Sequence, residues 1–163
     1  MTKNKTNNQK KDIIYFPNWA EDVFSNQDIS LNNIPSFPTG FNIMFAGNIG
    51  EAQDFESILS TAEITQNSAP AIHWIFVGDG RKLSWIKKEI ENKGLTNVFL
   101  PGRYPIEWMP EFFKKADAML VSLKDEPIFR LTVPAKVQAY MASGKIILGM
   151  MNGEGSEIIQ KAQ

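Results

Sequence analysis

The chain has 163 residues, 43% of them hydrophobic and 21% charged, and a formal net charge of −1. That is the size and composition of one soluble domain with its own core, too short for two comparable domains, and it excludes coiled coil, collagen-like repeat and wholesale disorder. Scattered basic residues leave no electrostatic footprint for nucleic acid, and with no Cys and a single His, His73, neither disulfides nor a thiolate or histidine-rich metal site can form.

The first eleven residues, MTKNKTNNQKK, carry too little apolar surface to order themselves and lack the apolar core of a signal peptide; they read as a flexible tail. No run approaches the roughly 18 apolar residues of a membrane span. A reducing cytoplasm fits the absence of Cys. Residues 13–16 make a short β-type run that Pro17-Asn18 stops, and the pattern is irregular from there to Thr39. Compact, β-rich apolar runs follow at 42–46, 73–77, 98–100 and 118–122, with a fifth at 146–149, and read as strands buried on both faces. Between them lie helical stripes. Phe55, Ile58, Leu59 and Ala62 form one, and Leu83, Ile86 and Ile90 form another that ends at Gly94. Pro110 opens a helix carrying Phe112 and Phe113; Pro134 opens one carrying Val137, Tyr140 and Met141, stopped by Gly144. The alternation predicts an α/β, Rossmann-like open parallel sheet with helices on both faces, whose ligands bind beyond the carboxyl ends of the strands.

Function should then concentrate in four loops. Gly47-Asn48-Ile49-Gly50 sits between a strand and a helix, where glycines let backbone N–H groups approach a phosphate; the same pair equally suits a plain tight turn. It is neither a Walker loop nor a full dinucleotide fingerprint. Gly78-Asp79-Gly80 reads as a structural turn, with Asp79 or a neighbour capping the next helix. Gly102-Arg103-Tyr104 offers backbone groups and a ring to a base edge, or else a solvated charge and a packing surface. The stretch from Lys124 to Lys136 is richest. It puts Glu126, Arg130, Thr132 and Lys136 ahead of a helix N-terminus suited to phosphate, although a polar surface loop has the same composition. His73, beside Trp74 in an apolar run, reads as a packed or edge histidine.

The order of landmarks Phe45-Ala46-Gly47-Asn48-Ile49-Gly50-Glu51-Ala52-Gln53, Phe76-Val77-Gly78-Asp79-Gly80, Pro101-Gly102-Arg103 and Val133-Pro134-Ala135-Lys136-Val137-Gln138-Ala139-Tyr140 resembles the C-terminal half of family 4, GT-B-type glycosyltransferases. Within that family it is similar to bacterial surface-polysaccharide enzymes related to N-acetyl-L-fucosamine transferases of O-antigen assembly. Tyr15 to Glu21 looks like the family's interdomain segment. The resemblance implies a tail and interdomain segment over 1–39, and over 40–163 a nucleotide-sugar-binding domain, one half of a GT-B fold, that continues past Gln163.

It further implies retaining transfer from a nucleotide-sugar donor, UDP-linked, with no metal and no other cofactor. The partners it implies are an N-terminal acceptor-binding domain and a lipid-linked glycan acceptor at the inner face of the cytoplasmic membrane. This chain alone is expected to be inactive. For the donor it implies Gly47, Asn48 and Gly50 facing the ligand, Gly102, Arg103 and Tyr104 bordering the base, and Leu131, Thr132 and Val133 presenting amides to the diphosphate. The family's usual Arg and Lys of the first loop are matched here by Asn48 and Gln53, which throws the charge onto Lys136 or Arg130. Of its paired Glu residues the second is matched by Ala139, and Glu126, at the wrong spacing, is the best match to the first, catalytic one. Two other classes compete: an epimerase- or dehydrogenase-like nucleotide-binding enzyme, against which the missing GxGxxG counts, and a non-catalytic flavodoxin-like binding module.

Overall fold

The structure is a computed structural model that describes residue 20 and residues 34–162. The expected strand at 13–16, its Pro17-Asn18 stop and the N-terminal tail lie outside the described residues. Five strands form one sheet: β1 (Phe41–Asn48), β2 (Ile72–Asp79), β3 (Val98–Gly102), β4 (Ala118–Ser122) and β5 (Ile146–Met150). Their order is β3-β2-β1-β4-β5 and every pair is parallel. The helices are α1 (Phe55–Thr65), α2 (Leu83–Lys93), α3 (Met109–Lys114), α4 (Pro127–Arg130), α5 (Ala135–Ala142) and α6 (Glu154–Lys161).

The two-residue period of the strands divides the core. Ile43 and Phe45, paired with Trp74 and Phe76, turn to one face and pack under Phe55, Ile58, Leu59 and Ala62 of α1 and Ile86 of α2. Met44 and Ala46, paired with Ile75 and Val77, turn to the other and meet Phe112 and Phe113 of α3, Val137 and Tyr140 of α5 and Ile159 of α6. Both faces of the central strands are therefore apolar, and the expected Rossmann-like layering is present.

Local signals place the helices. Asp54 caps α1, its carboxylate accepting from the Ser57 amide at 3.2 Å and the Ser57 hydroxyl at 2.6 Å. Gly94 ends α2 in the left-handed region, φ 60°. Asp79 does not cap α2 as expected. It is still a strand residue, its Oδ1 accepts from the Gly80 amide at 2.7 Å, and Lys82 stands at the cap position without a side-chain bond to the helix amides. Pro134 sits one residue ahead of the α5 it was expected to open, and Met141, expected on the buried stripe of α5, is 38% exposed.

The strands also run further than the apolar runs suggest. β1 and β2 stay in register through Gly47↔Gly78 and Asn48↔Asp79, so these residues are strand rather than loop. Only glycine allows it at Gly78: φ is 144°, and a Cβ there would overlap the Gly47 carbonyl. A Cβ on Gly80 would likewise overlap the Ile49 carbonyl, while the Ile49 amide donates to Asp79 O at 2.8 Å. β5 departs from the expected double burial. Ile147 packs with the α3, α5 and α6 layer, whereas Ile146, 63% exposed, and Leu148 face the layer of α1 and α2, which does not reach this edge.

Candidate functional site

Parallel sheets bind ligands where neighbouring connections leave in opposite directions, and here that point lies between β1 and β4. The two strands pair only at Ile43↔Ala118 and Met44↔Met119, then part. Beyond the parting the buried Tyr140 hydroxyl takes the place of a strand partner. The Ala46 amide donates to it at 2.9 Å and it donates to Ala46 O at 3.0 Å. Burial raises the Tyr140 pKa, so the hydroxyl keeps the proton that this exchange needs.

A cleft of about 1230 Å³ opens at this end of the sheet, walled by the ends of β1 and β2, the segment after β3 and the first turns of α5. Five residues expected at the donor site line it: Gly47, Asn48, Arg103, Tyr104 and Lys136. Tyr104 is steadied by Trp108, stacked at 5.6 Å, and by Phe112 at 4.7 Å, so the ring is both cleft wall and core. The remainder do not line the cleft. Gly102 ends β3 with φ 100° and serves the turn. Gly50 is buried, and its amide already donates to Gln53 Oε1 at 3.0 Å, so the loop closes on itself. Thr132 is spent on α4, its amide donating to Phe129 O at 3.1 Å and its hydroxyl to Ile128 O at 2.9 Å. Leu131 is 71% exposed, and Val133 packs toward the core. Glu126 stands exposed at the cap of α4. A one-turn helix opened by Pro127, for which the sequence has no periodic signal, organises this segment.

Of the two cations available to replace the family's usual pair, Arg130 is engaged elsewhere. Its Nε and Nη2 grip both oxygens of Asp125 at 2.8 and 3.0 Å, which lowers the Asp125 pKa, and the pair is on the surface. Lys136 is different. Its Nζ is buried without a hydrogen-bond partner among the described residues, lies 3.6 Å from the centre of the Phe45 ring, and would be 3.3 Å from a Cβ at Gly47. Burial lowers its pKa to about 7. A buried amine in the first turn of α5, near the positive end of the helix, is a place where an anion is favoured.

The loop beneath is clamped from outside. Lys82 bonds Glu56 at 2.6 Å and approaches Glu51 at 3.6 Å, tying α1 to the start of α2, and the Lys124 amide donates to Ala52 O at 2.8 Å. The cleft also contains Asp79, expected only as a capping residue, and two residues that the loops did not suggest, Glu107 and Tyr140. Tyr140 was legible as core, and its hydroxyl was the clue: a phenol inside an apolar stripe must find a partner. Glu107, in a 3₁₀ turn over Ile106–Trp108, carries no such signal. Among the described residues no group of three or more His, Asp or Glu could hold a metal ion, and no helix is long and apolar enough to cross a membrane.

The profile of the family "Glycosyl transferases group 1" matches residues 40–163. The chain belongs to this family. Among curated members, "Probable glycosyltransferase WbjE" of Pseudomonas aeruginosa is 32% identical over 155 residues, spanning 93% of this chain and 38% of that protein. The colanic acid biosynthesis glycosyl transferase WcaI of Escherichia coli (strain K12) is 28% identical over 140 residues, 82% of this chain and 34% of the relative. The chain thus spans a little over a third of the length of these relatives. Among solved structures, the pneumococcal O-GlcNAc transferase GtfA in complex with UDP and GlcNAc superposes with a TM-score of 0.59 at 14% identity, covering 72% of this chain and 22% of that one. The fold of this group 1 glycosyltransferase domain is accordingly the Rossmann-like half of a GT-B architecture.

Proposed function

We propose that the cleft is the donor site of a retaining glycosyltransferase, taking a UDP-linked sugar for bacterial surface-polysaccharide assembly. The observation that carries this reading is the unpartnered Lys136 Nζ set beside Gly47 and the first turn of α5. Cleaving a sugar–phosphate bond leaves charge on the diphosphate, so a dry cation and preorganised amides serve the leaving group where it forms. In this reading the diphosphate lies against Lys136, Gly47 and the α5 amides, and the base lies toward Arg103 and Tyr104. Family membership, the polysaccharide-related relative and a fold neighbour with bound UDP support it. We further propose an N-acetylated deoxysugar of the fucosamine type as the transferred group, and a lipid-diphosphate-linked glycan at the inner face of the cytoplasmic membrane as acceptor. A second, N-terminal domain would position that acceptor and exclude water.

Calorimetric titration with UDP and NAD tests the site. UDP should give a saturable signal and NAD none, and Lys136→Ala should weaken UDP binding about tenfold or more, the scale of one charge-assisted contact. NAD binding would favour a dehydrogenase-like protein. UDP affinity unchanged in Lys136→Ala would remove Lys136 from the site.

A further inference from the structure

The surroundings of Lys136 prepare it poorly to be a cation. β1 offers it the face of the Phe45 ring and the bare α-carbon of Gly47, and among the described residues no oxygen accepts from Nζ. The groups that titrate or carry charge around the cleft are otherwise occupied or apart. Tyr140, one turn along α5, is closed on Ala46; Asp79 of β2 accepts from Gly80; Arg103 and Glu107 stand on the segment after β3 and make no ion pair with Lys136. The Lys82 cluster across α1 and α2 is neutralised by Glu56 and Glu51. The ring face favours the ammonium, and burial opposes it. A diphosphate would give Nζ the counter-charge that no described group provides.

We propose that binding of an anionic ligand in this cleft is coupled to uptake of one proton by Lys136 Nζ. The inference rests on the donor-site reading and extends it. The free amine is neutral above neutrality, and the arriving anion makes the charged form favourable, so an N–H bond forms to a solvent proton and nothing else is transferred. The charged fraction on the wall then rises when there is a diphosphate to receive it. With the free amine's pKa lowered to about 7, fewer free sites are charged at pH 8 than at pH 7, and apparent UDP affinity should fall several-fold between the two.

UDP is titrated calorimetrically into the chain at pH 8 in buffers of differing ionisation enthalpy, conditions in which its terminal phosphate has already lost its proton. The expected result is net proton uptake on binding, approaching about one proton per UDP bound. Lys136→Arg, charged throughout this range, should bind with no uptake and an affinity flat from pH 7 to 8. Lys136→Met, suited to the dry pocket, should bind more weakly and also without uptake. Binding by the wild-type chain without proton uptake overturns the coupling and leaves the donor site standing. Uptake that persists in the variants overturns it too, by moving the proton elsewhere. No UDP binding at any pH would sink the donor-site reading and this inference with it.

Discussion

Replacing Tyr140 by Phe removes one oxygen and no volume, so its cost isolates the hydroxyl that stands between β1 and β4. Tyr140 is 1% exposed, and its ring keeps the edge contact with Phe113, at 5.4 Å, in either form. What changes is Ala46. Its amide and carbonyl, at 2.9 and 3.0 Å from the hydroxyl, lose their partner together, because β4 has already diverged and cannot take them. Leaving a buried donor or acceptor unpaired costs about 1–3 kcal/mol each, and the desolvation of the phenol recovered in the variant offsets part of the sum, so a net loss of about 2–4 kcal/mol is expected. Urea denaturation of both proteins followed by circular dichroism measures it, with the slope of the transition unchanged. A loss under about 0.5 kcal/mol would show that Ala46 is satisfied in some other way, and the account of why the strands part would fall.

Gly78→Ala should be among the most damaging single changes, since the added methyl meets the Gly47 carbonyl at a backbone angle that L residues avoid; a loss of roughly 3 kcal/mol or more, or no soluble protein, is expected in expression and urea assays. Arg130→Ala breaks an exposed pair with Asp125 and should leave the urea midpoint nearly unchanged in the same denaturation assay, with UDP affinity also unchanged. A tenfold loss of affinity would return Arg130 to the donor site.

The sheet was legible because its central strands are buried on both sides, and such strands are written as unbroken apolar runs, as in 42–46 and 73–77. Their ends were not. Gly47, Asn48, Gly78 and Asp79 are turn-type residues, and only their cross-strand register, which no local pattern encodes, keeps them in the sheet. Lys136 was found because a cation in the first turn of a helix is a local signal; that it is buried and unpaired depends on Phe45, ninety-one residues earlier. The segment from Glu126 to Val133 has local partners that its composition does not show. Composition shows polar groups near a helix start, but α4 consumes the Thr132 amide and hydroxyl, and Asp125 holds Arg130. Gln53, matched to a position that often carries a family cation, instead fills the hydrogen-bonding need of Gly50.

The interlock of the first two strand ends bears on how this cleft can change. Gly78 and Gly80 each fit against a carbonyl of the neighbouring segment, at Gly47 and Ile49, so the two rims touch backbone to backbone with no side chain between them to absorb a shift. Neither rim can be transplanted from a relative alone: a new first loop would need the second to follow its carbonyls. Variation in ligand preference is freer on the opposite wall, where Arg103 and Glu107 reach the cleft through exposed side chains on the segment leading into α3.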